Sequence, residues 1–346
     1  MMSIKLFPAE YGDCIMLSIG KENQYNILID GGLSKTYQKY IKSEIQHIRE
    51  KRQKIGLLVC THMDNDHICG LIQVLKETNP DFIDNVWYNG FFQIVNSRFY
   101  SQKENGFTDR DNKILDEIIS QGVVSDSEQE IGINEGMSLG VLIEESKIPL
   151  NLVVEGRAIC SELVENRYEI ATNIFITVLG PSKNNIIELE DHWKKDMVSR
   201  NYMFRVSDKI KLTEAFEYQI ECIKSIYTNE SFKICENEDL TKYIGDLSER
   251  DESIVNRSSI SFILEYNKRK YLFLGDTVID KTILKNIENV VGFEYRFSAI
   301  KLPHHGSRYN ITHDFISRYS ADEYYCLTNS IKYGHPDLEV LATILC

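Results

Sequence analysis

The segment at residues 62–67 carries the side chains best suited to chemistry. Four of its six residues are histidines or aspartates in the pattern His-x-Asp-x-Asp-His, namely His62, Asp64, Asp66 and His67. Imidazole nitrogens and carboxylate oxygens are the usual protein ligands of Zn²⁺, Mn²⁺ and Fe²⁺. Two carboxylates held so close repel each other, and a bound cation removes that cost. The pattern therefore favours a metal-binding loop over its structural alternative, a polar loop in which Asn65 or Asp66 caps a helix.

Other polar side chains stand directly after apolar segments. Asp30 and Asp276 each follow one such segment, the adjacent His304 and His305 follow another, and His335 lies in a Tyr-Gly-His-Pro turn. Each of these residues alone has an ordinary explanation as a turn residue. Because they follow predicted strands, the edge of a sheet could gather them. The carboxyl ends of strands are where open α/β folds place their chemistry.

The spacing of apolar residues predicts the elements that position these side chains. Strands are predicted at Ile4–Phe7, Cys14–Ile19, Tyr25–Ile29, Gly56–Cys60, Phe82–Tyr88, Phe175–Leu179, Ser259–Tyr266, Arg269–Leu274, Phe297–Leu302 and Tyr324–Thr328. Helices are predicted at residues 35–54, Ile68–Lys76, Lys113–Ser120, Gly136–Glu145 and a short terminal segment. The His-x-Asp-x-Asp-His loop thus joins a buried strand to a helix. Residues 182–253 are charged, with scattered aromatics and no clear period, which indicates an inserted helical subdomain or lid.

The order of the motifs resembles the metallo-β-lactamase superfamily. The stretches that carry the resemblance are LIDGG, THMDNDHICG, LGP, NRSS, FLGDT, LPHHGS and YGHP. They are most similar to the nuclease-like domain of the ComEC DNA-uptake proteins and its stand-alone soluble relatives. The resemblance implies an α/β fold, the αβ/βα sandwich of this superfamily. It assigns residues 1–181 and 254–346 to the hydrolase domain and leaves 182–253 as an insertion or lid.

The resemblance also implies a site for two divalent metal ions, zinc or manganese. Its ligands would be His62 and Asp64 for the first metal, Asp66 and His67 for the second, Asp276 as the bridging carboxylate, and His304 as the late histidine, with His305 as the alternative. Asp30 corresponds to an acid that steadies the metal loop. His335 corresponds to a residue at the rim, near the substrate.

The sequence departs from the superfamily pattern at two ligand positions. Asp64 stands where most superfamily hydrolases have histidine, and its harder oxygen donor favours Mn²⁺ or a mixed pair of metals. The middle histidine ligand has no clear counterpart near Gly180 or Asn256. His192, the only histidine between positions 68 and 303, lies in the insertion. The first metal site could therefore be weak, open or completed by water.

The ligand set predicts metal-assisted hydrolysis, in which two cations share and activate a water. Asp66 would take the proton, and His335 or His305 would protonate or hold the leaving oxygen. Lys301 and Ser307 are candidate substrate contacts, although a surface position is the simpler expectation for Lys301. The leading hypothesis is a metal-dependent phosphodiesterase, in particular a nuclease.

Two other functions stay open. One is a hydrolase of small esters, lactones or cyclic nucleotides that uses the same residues. The other is a non-catalytic module that serves a partner protein, as in bacterial phage defence. A protein partner could dock on residues 182–253, and the oligomeric state is open.

The charge balance bears on the nuclease hypothesis. The 346 residues include 39 Lys and Arg against 52 Asp and Glu, a net charge of −13. This balance argues against tight non-specific binding of nucleic acid through the whole surface. A local basic strip could compensate, either the helix at 35–54 or the cations Lys194, Lys195, Arg200, Arg205, Lys209 and Lys211.

Composition also limits the class of protein. A hydrophobic share of 42% and a charged share of 26% are typical of folded chains. No apolar run approaches the roughly 18 residues that span a bilayer, and the first residues lack a signal-peptide segment. The eight cysteines form no Cys-x-x-Cys pair, which suits a reducing compartment. We therefore expect a cytoplasmic protein that does not insert into a membrane.

Overall fold

The computed structural model describes residues 1–95, 109–124, 138–202, 209–221, 240–245, 247 and 249–346. They belong to two compact units. The first contains Met1–Ala9, Cys14–Ile159 and Asn184–Lys224, and the second contains Glu10–Asp13, Cys160–Lys183 and Ser225–Cys346. Each unit has a sheet and helices, so the α/β class is confirmed and is consistent with a metallo-β-lactamase fold. The insertion at 182–253 stays a prediction, and parts of it, including Arg205, lie outside the described residues.

The sheet of the first unit positions the metal-type loop. Its strands are β1 (Met2–Leu6), β2 (Ile15–Ile19), β3 (Tyr25–Ile29), β4 (Ile55–Val59) and β5 (Val86–Trp87), in that spatial order. The pairs β1–β2 and β2–β3 are antiparallel, whereas β3–β4 and β4–β5 are parallel. The apolar strands β2 and β4 are buried along their whole length. The parallel pair β3–β4 brings Asp30 and Thr61, which follow these strands, to one edge of the sheet.

Helices follow the strands as the apolar spacing predicts. Those in this part of the chain are α1 (Ser34–Thr36), α2 (Lys42–Glu50), α3 (Asn65–Glu77), α4 (Phe91–Ile94), α5 (Asp109–Val124), α6 (Leu139–Ser146), α7 (Lys183–Ser199) and α8 (Lys209–Glu221). A π-helical turn, Tyr37–Ile41, joins α1 to α2. The helical character expected for residues 182–253 is therefore present in α7 and α8. No helix of the described ranges is long and apolar enough to cross a membrane.

The turn after β3 packs directly on helix α3. The Gly31 amide donates to the carbonyl of His67 at 2.8 Å, and the Gly70 amide donates to the carbonyl of Gly32 at 2.9 Å. A Cβ atom on Gly70 would lie 1.9 Å from the carbonyl oxygen of Gly31. Only a residue without a side chain allows this approach. Main-chain contacts therefore hold the start of α3 against the end of β3.

We expect the substitution Gly70→Ala to destabilise the protein strongly. The added methyl has backbone on the facing side, which cannot move aside as a flexible side chain would. We expect a loss of about 3 kcal/mol or more in the free energy of unfolding, at the upper end of overpacking effects. Urea unfolding measures it. Gln73→Ala, at a half-buried position on the same helix, is the control and should lose far less.

A buried carboxyl joins helix α8 to helix α6. Glu217 is fully buried, and it accepts hydrogen bonds from the amides of Leu139 and Gly140 at 3.0 and 2.7 Å and from the Tyr88 hydroxyl at 2.5 Å. Burial raises the pKa of Glu217 to about 7 and outweighs the three donors, which lower it. Near neutral pH the folded protein therefore binds a proton that the unfolded chain releases.

This carboxyl predicts a pH-dependent stability. Between the ordinary pKa of 4.5 and about 7 the folded state holds the extra proton, so the free energy of unfolding falls as the pH rises through this window and levels off above it. The free energy of unfolding should fall by about 3 kcal/mol across this window because of Glu217. Urea unfolding between pH 5 and 8 should show this slope in the wild type and not in Glu217→Gln. Glu144→Gln, at an exposed position on α6, should follow the wild-type curve.

The sheet of the second unit is also mixed. Its strands are β6 (Tyr168–Ala171), β7 (Ile174–Gly180), β8 (Ser261–Tyr266), β9 (Arg269–Phe273), β10 (Tyr295–Lys301) and β11 (Tyr319–Tyr325), in the spatial order β11-β10-β9-β8-β7-β6. The pairs β9–β10 and β10–β11 are parallel, and the other pairs are antiparallel. The strands predicted on either side of Asn267 and Lys268 are present and form an antiparallel hairpin, in which both residues have positive φ, as a two-residue turn requires.

Parallel pairing in the second sheet again aligns polar residues. Asp276 follows β9 and His304 follows β10, so both lie at the carboxyl edge of neighbouring strands. The helices of this part of the chain are α9 (Ile254–Arg257), α10 (Lys281–Val291), α11 (His313–Arg318) and α12 (Leu338–Leu345). Leu272 and Ile300 from the strands pack with Ile287 of α10 in the core. A buried apolar layer thus supports the loops that carry Asp276 and His304.

Most predicted strands begin within about two residues of the observed bounds, but two begin four or more positions away. The segment predicted as Phe82–Tyr88 contains a 3₁₀ turn at Pro80–Phe82, and its strand is only Val86–Trp87. The last strand runs over Tyr319–Tyr325 rather than Tyr324–Thr328. It forms the edge of its sheet and exposes Asp322 and Glu323, so it lacks the continuous apolar run on which the prediction relied.

Candidate functional site

The structure brings the four donors of the metal-type loop together. His62 and His67 are buried, and their ring centroids lie 4.1 Å apart. His62 Nε2 is 3.5 Å from Asp64 Oδ2, and His67 Nε2 is 3.8 Å from Asp66 Oδ2. Each imidazole therefore has a carboxylate oxygen beside the same ring nitrogen. Proteins commonly bind divalent cations with imidazole and carboxylate donors that lie this close together.

The helix-capping alternative is not borne out. Asp64, not Asn65 or Asp66, occupies the N-cap of α3. Its backbone is extended, but the Asp64 side chain makes no capping hydrogen bond to any residue that the structure describes. Asn65 and Asp66 already lie in the first helical turn. The Asp64 side chain therefore does not serve as a helix cap.

Asp30 fixes the orientation of the loop, as the resemblance implies. It is fully buried and accepts hydrogen bonds from the Thr61 amide at 2.8 Å, the Thr61 hydroxyl at 2.7 Å and His67 Nδ1 at 2.9 Å. The Thr61 oxygen in turn lies 3.0 Å from His62 Nδ1. Since the hydroxyl gives its proton to Asp30, the Nδ1–H of His62 donates to Thr61. Both histidines therefore have Nδ1 engaged, which leaves Nε2 as the donor for a metal.

The second unit gathers its own acid and histidines. Asp276 is buried, and its Oδ2 atom lies 3.8 Å from His304 Nε2 and 3.6 Å from His305 Nε2. On the other side of the His304 ring, Nδ1 lies 3.0 Å from Asn310 Oδ1 and 3.5 Å from Asp251 Oδ2. His304 thus repeats the arrangement of the first unit, with Nδ1 engaged and Nε2 beside a carboxylate.

Electrostatics at His304 favour a positive charge. Burial lowers the pKa of His304, but the carboxylates of Asp276 and Asp251 outweigh burial and raise the pKa to about 9. The contact with His304 in turn keeps the pKa of Asp251 below its ordinary value, although burial alone would raise it. A divalent cation competes with the proton for such a nitrogen, so cation binding here releases a proton.

His305 is as well placed as His304. The Asp13, Asp276 and His305 side chains are all buried, and each offers a ligand atom within 4.8 Å of the others. His305 Nδ1 lies 3.4 Å from Asp13 Oδ1, while its Nε2 faces Asp276. Both His304 and His305 have Nε2 beside Asp276 within this unit, so the choice of His304 as the ligand stays a prediction.

His335 lies beside His304. The two ring centroids are 5.3 Å apart, and His335 Nδ1 lies 3.6 Å from Asp337 Oδ1. Burial lowers the pKa of His335 and outweighs Asp337, which acts in the opposite direction. The ring is therefore neutral at physiological pH and offers a nitrogen lone pair rather than a positive charge.

Lys301 and Ser307 are not surface residues. Each is only 1% exposed. The Lys301 ammonium forms an ion pair with Asp13, and the Ser307 hydroxyl accepts from the Tyr309 amide at 3.3 Å. The expectation of a surface lysine is wrong because the side chain is buried and its ammonium is paired inside the protein with Asp13 and the Gly275 carbonyl. Such burial does not favour direct contact with a substrate.

Sequence reasoning missed several residues that support the acids and histidines. They are Asp13, Asp251, Asn256, Ser259 and Asn310. The Asn256 amide donates to Asp251 Oδ2 at 2.5 Å, and the Asp276 amide donates to the Ser259 hydroxyl at 3.3 Å. Both Asn256 and Ser259 belong to the NRSS motif, which was therefore the available signal. Asp13 also had a sequence signal, because it is an acid directly before a predicted apolar strand. Asp251 and Asn310 had no such signal.

The donor set fits a divalent metal on chemical grounds. The candidate ligands are imidazole nitrogens and carboxylate oxygens, and the second nitrogen of each histidine in the predicted ligand set is already held by the protein. This is the usual environment of histidines that bind metals. The chain therefore contains His/Asp groups compatible with metal binding, without an indication of which metal or how many ions.

Comparison with known families agrees with this chemistry. A family model of the metallo-beta-lactamase superfamily matches residues 9–83. This segment is similar to that superfamily, whose members are mostly metal-dependent hydrolases. It includes Asp30 and the whole loop from His62 to His67, and it spans less than a quarter of the chain. No curated protein matches the sequence. Nothing in the match points to the ComEC branch specifically.

Proposed function

We propose that the protein is a metal-dependent hydrolase of phosphodiester bonds, in particular a nuclease. The observation that supports it most is the shared state of His62, His67 and His304. Each ring has Nδ1 engaged by an oxygen of the protein and Nε2 beside a carboxylate. A histidine with only a structural role has no need of a carboxylate beside its second nitrogen. The superfamily match over the first two of these histidines supports the same reaction class.

The proposed ligands are those named from the resemblance, for two divalent ions, zinc or manganese: His62, Asp64, Asp66, His67, Asp276 and His304. When bound, such ions lower the pKa of water and neutralise charge on a phosphate. Half of these six ligand residues are carboxylates, namely Asp64, Asp66 and Asp276. Oxygen-rich sites suit Mn²⁺ better than sulfur-rich ones do, and Mn²⁺ is a common partner of phosphate.

The remaining proposed roles belong to Asp66, His335 and His305. The Asp66 side chain keeps 14% of its surface exposed, so it can accept a proton from water and pass it to solvent. His335 or His305 would protonate the leaving oxygen or hold the phosphate, and the lowered pKa of His335 suits it to holding through its ring N–H. These assignments rest on the resemblance and on the chemistry of the side chains.

Local charge decides where a polyanion could bind. Three cations of the second basic strip are already neutralised: Lys194 by Glu190 at 2.6 Å, Arg200 by Asp196 at 2.7 Å and Lys211 by Asp116 at 2.6 Å. In the first strip, Lys42 pairs with Glu77 at 2.7 Å and Lys54 with Asp84 at 3.5 Å. Exposed cations in both strips, such as Lys39 and Arg52 in the first and Lys195 in the second, are the groups that would attract a nucleic acid.

An activity screen with defined metals tests the proposal. The full chain is supplied with Mn²⁺ or Zn²⁺ and offered single- and double-stranded DNA, RNA, cyclic nucleotides and lactones. We expect cleavage of a nucleic acid that requires metal and is lost in Asp66→Ala and Asp276→Ala. Metal content is measured on the same samples.

The outcomes separate the candidate functions. Cleavage of lactones or cyclic nucleotides alone would replace the nuclease with the small-molecule hydrolase. Equal cleavage by the parent and both variants would show that the assigned residues are not the site. A chain that retains and binds no metal under these conditions would be a non-catalytic module.

A further inference from the structure

The second unit buries a lysine among the groups proposed to bind metal. Lys301, the last residue of β10, is 1% exposed. Its ammonium donates to the Gly275 carbonyl at 3.0 Å, forms an ion pair with Asp13 and lies 3.7 Å from Asp276 Oδ1. A buried charge is costly unless it is paired, so these contacts account for its burial. The lysine therefore connects two acids that lie on different segments of the chain.

His305 completes a closed ring with these residues. Asp13 contacts Lys301 through Oδ2 and His305 Nδ1 through Oδ1, the latter at 3.4 Å. Asp276 faces Lys301 through Oδ1 and His305 Nε2 through Oδ2, the latter at 3.6 Å. All four side chains are nearly fully buried. In both Asp13 and Asp276, one carboxylate oxygen therefore faces Lys301 and the other faces His305.

The ring has a geometric consequence for Asp276. With Oδ1 directed toward Lys301, Oδ2 is directed toward both His304 Nε2 and His305 Nε2. Asp13 Oδ1 likewise lies beside His305 Nδ1, while His305 Nε2 faces Asp276. The orientation of one acid and one histidine is thereby set by a charge pair that lies behind them.

We propose that Lys301 and Asp13 form a positioning pair that holds Asp276 and His305 in the orientation that binds metal. The inference rests on the proposed function, because it assumes that Asp276 is a ligand. It assigns no contact with substrate to Lys301, which its burial disfavours. It also gives a role to Asp13, which lies outside the ligand set implied by the resemblance.

The sign of the effect on metal affinity distinguishes positioning from a plain charge. An ammonium near a ligand repels an incoming cation, so removing a lysine that acts only by its charge should tighten metal binding. A lysine that only fills space should leave the affinity unchanged in a folded variant. Removing a positioning lysine should instead weaken binding, since residues that orient ligands typically change metal affinity by about tenfold to a hundredfold.

The experiment is calorimetric titration of Mn²⁺ into the metal-free full chain, with urea unfolding of the metal-free protein alongside. In Lys301→Met and in Asp13→Asn we expect the dissociation constant for Mn²⁺ to rise by about tenfold or more. Lys270→Met is the matched control, because Lys270 is a partly buried lysine of the same sheet, ion-paired with Glu265 at 2.8 Å. Its affinity for Mn²⁺ should equal that of the wild type.

A second variant covers the case in which a single substitution prevents folding. Removing one partner leaves the other charge buried alone, whereas Asp13→Leu combined with Lys301→Met removes both. The double variant should therefore be more stable than Lys301→Met in urea and should still bind Mn²⁺ weakly. Wild-type or tighter affinity in a folded Lys301→Met or double variant would overturn the inference.

The result is separable from the test of the proposed function. If the wild type binds Mn²⁺, Asp276→Ala loses it and Lys301→Met matches the wild type, only the positioning role fails. If the wild type binds neither Mn²⁺ nor Zn²⁺, the proposed function fails, and the positioning role fails with it.

Discussion

The variant Asp276→Asn should lose at least about a thousandfold in kcat/KM for the metal-dependent reaction, or about 4 kcal/mol of transition-state stabilisation. Asparagine has nearly the same shape as aspartate but no charge. It would place a neutral amide where Oδ2 now faces His304 and His305 and where Oδ1 faces Lys301. A proposed metal ligand and the counter-charge of a buried lysine would be lost together.

Asp280→Asn is the matched control for this prediction. Asp280 lies four positions further along the same loop and caps α10, accepting from the amides of Thr282 and Ile283 at 2.8 Å each. Asparagine caps helices about as well as aspartate, so kcat/KM and stability should stay near the wild-type values. Steady-state kinetics at saturating Mn²⁺ provide the comparison. Wild-type activity in Asp276→Asn would rule out Asp276 as an essential ligand.

The variant Asp30→Ala should be the most destabilising change in the first unit that removes a polar group. It leaves the Thr61 amide, the Thr61 hydroxyl and His67 Nδ1 without their common acceptor in a fully buried place. Unsatisfied buried donors cost about 1–3 kcal/mol each, and their costs overlap, so we expect a loss of about 3–5 kcal/mol in the free energy of unfolding. Affinity for metal should fall about tenfold to a hundredfold in any folded fraction.

Two further variants bracket the effect of Asp30. Asp30→Asn keeps one acceptor oxygen and should lose roughly half as much stability as Asp30→Ala. Asp84→Ala removes an exposed acid that pairs with Lys54 at 3.5 Å, and it should change the free energy of unfolding by no more than about 0.5 kcal/mol. Chemical denaturation and metal titration measure both quantities. Equal losses in Asp30→Ala and Asp84→Ala would contradict the role of Asp30 as the centre of the loop.

Strands were predictable where burial is complete and not where it is partial. Tyr25–Ile29 is a strand with the predicted bounds, because a strand covered on both faces is mostly apolar, as Ile27, Leu28 and Ile29 are here. Tyr168–Ala171 was not predicted, since this edge strand is half-buried and carries no such run. Helix Lys281–Val291 was also missed, although its apolar residues recur at helical spacing and Asp280 caps it.

Within the candidate site, residues in the quoted motifs were predictable and their supports were mostly not. His62, Asp64, Asp66 and His67 are recognisable because four donors in six residues are rare without a ligand. The contacts of Asp30 were expected and are confirmed. Asp251 and Asn310, which hold His304, lie in polar surroundings where an acid or amide carries no signal of its own. Their importance arises only from tertiary packing, which no local pattern encodes.

The glycine contact between Gly31 and Gly70 has a consequence for how this protein can evolve. Since backbone atoms alone set the distance between β3 and α3, the identity of the side chain at position 64 is not part of that support. A change from aspartate to histidine there needs one altered nucleotide and leaves the frame of the loop as it is. Under the proposed function, the preference among transition metals could therefore change between descendants of this gene while the contact that supports the loop is kept.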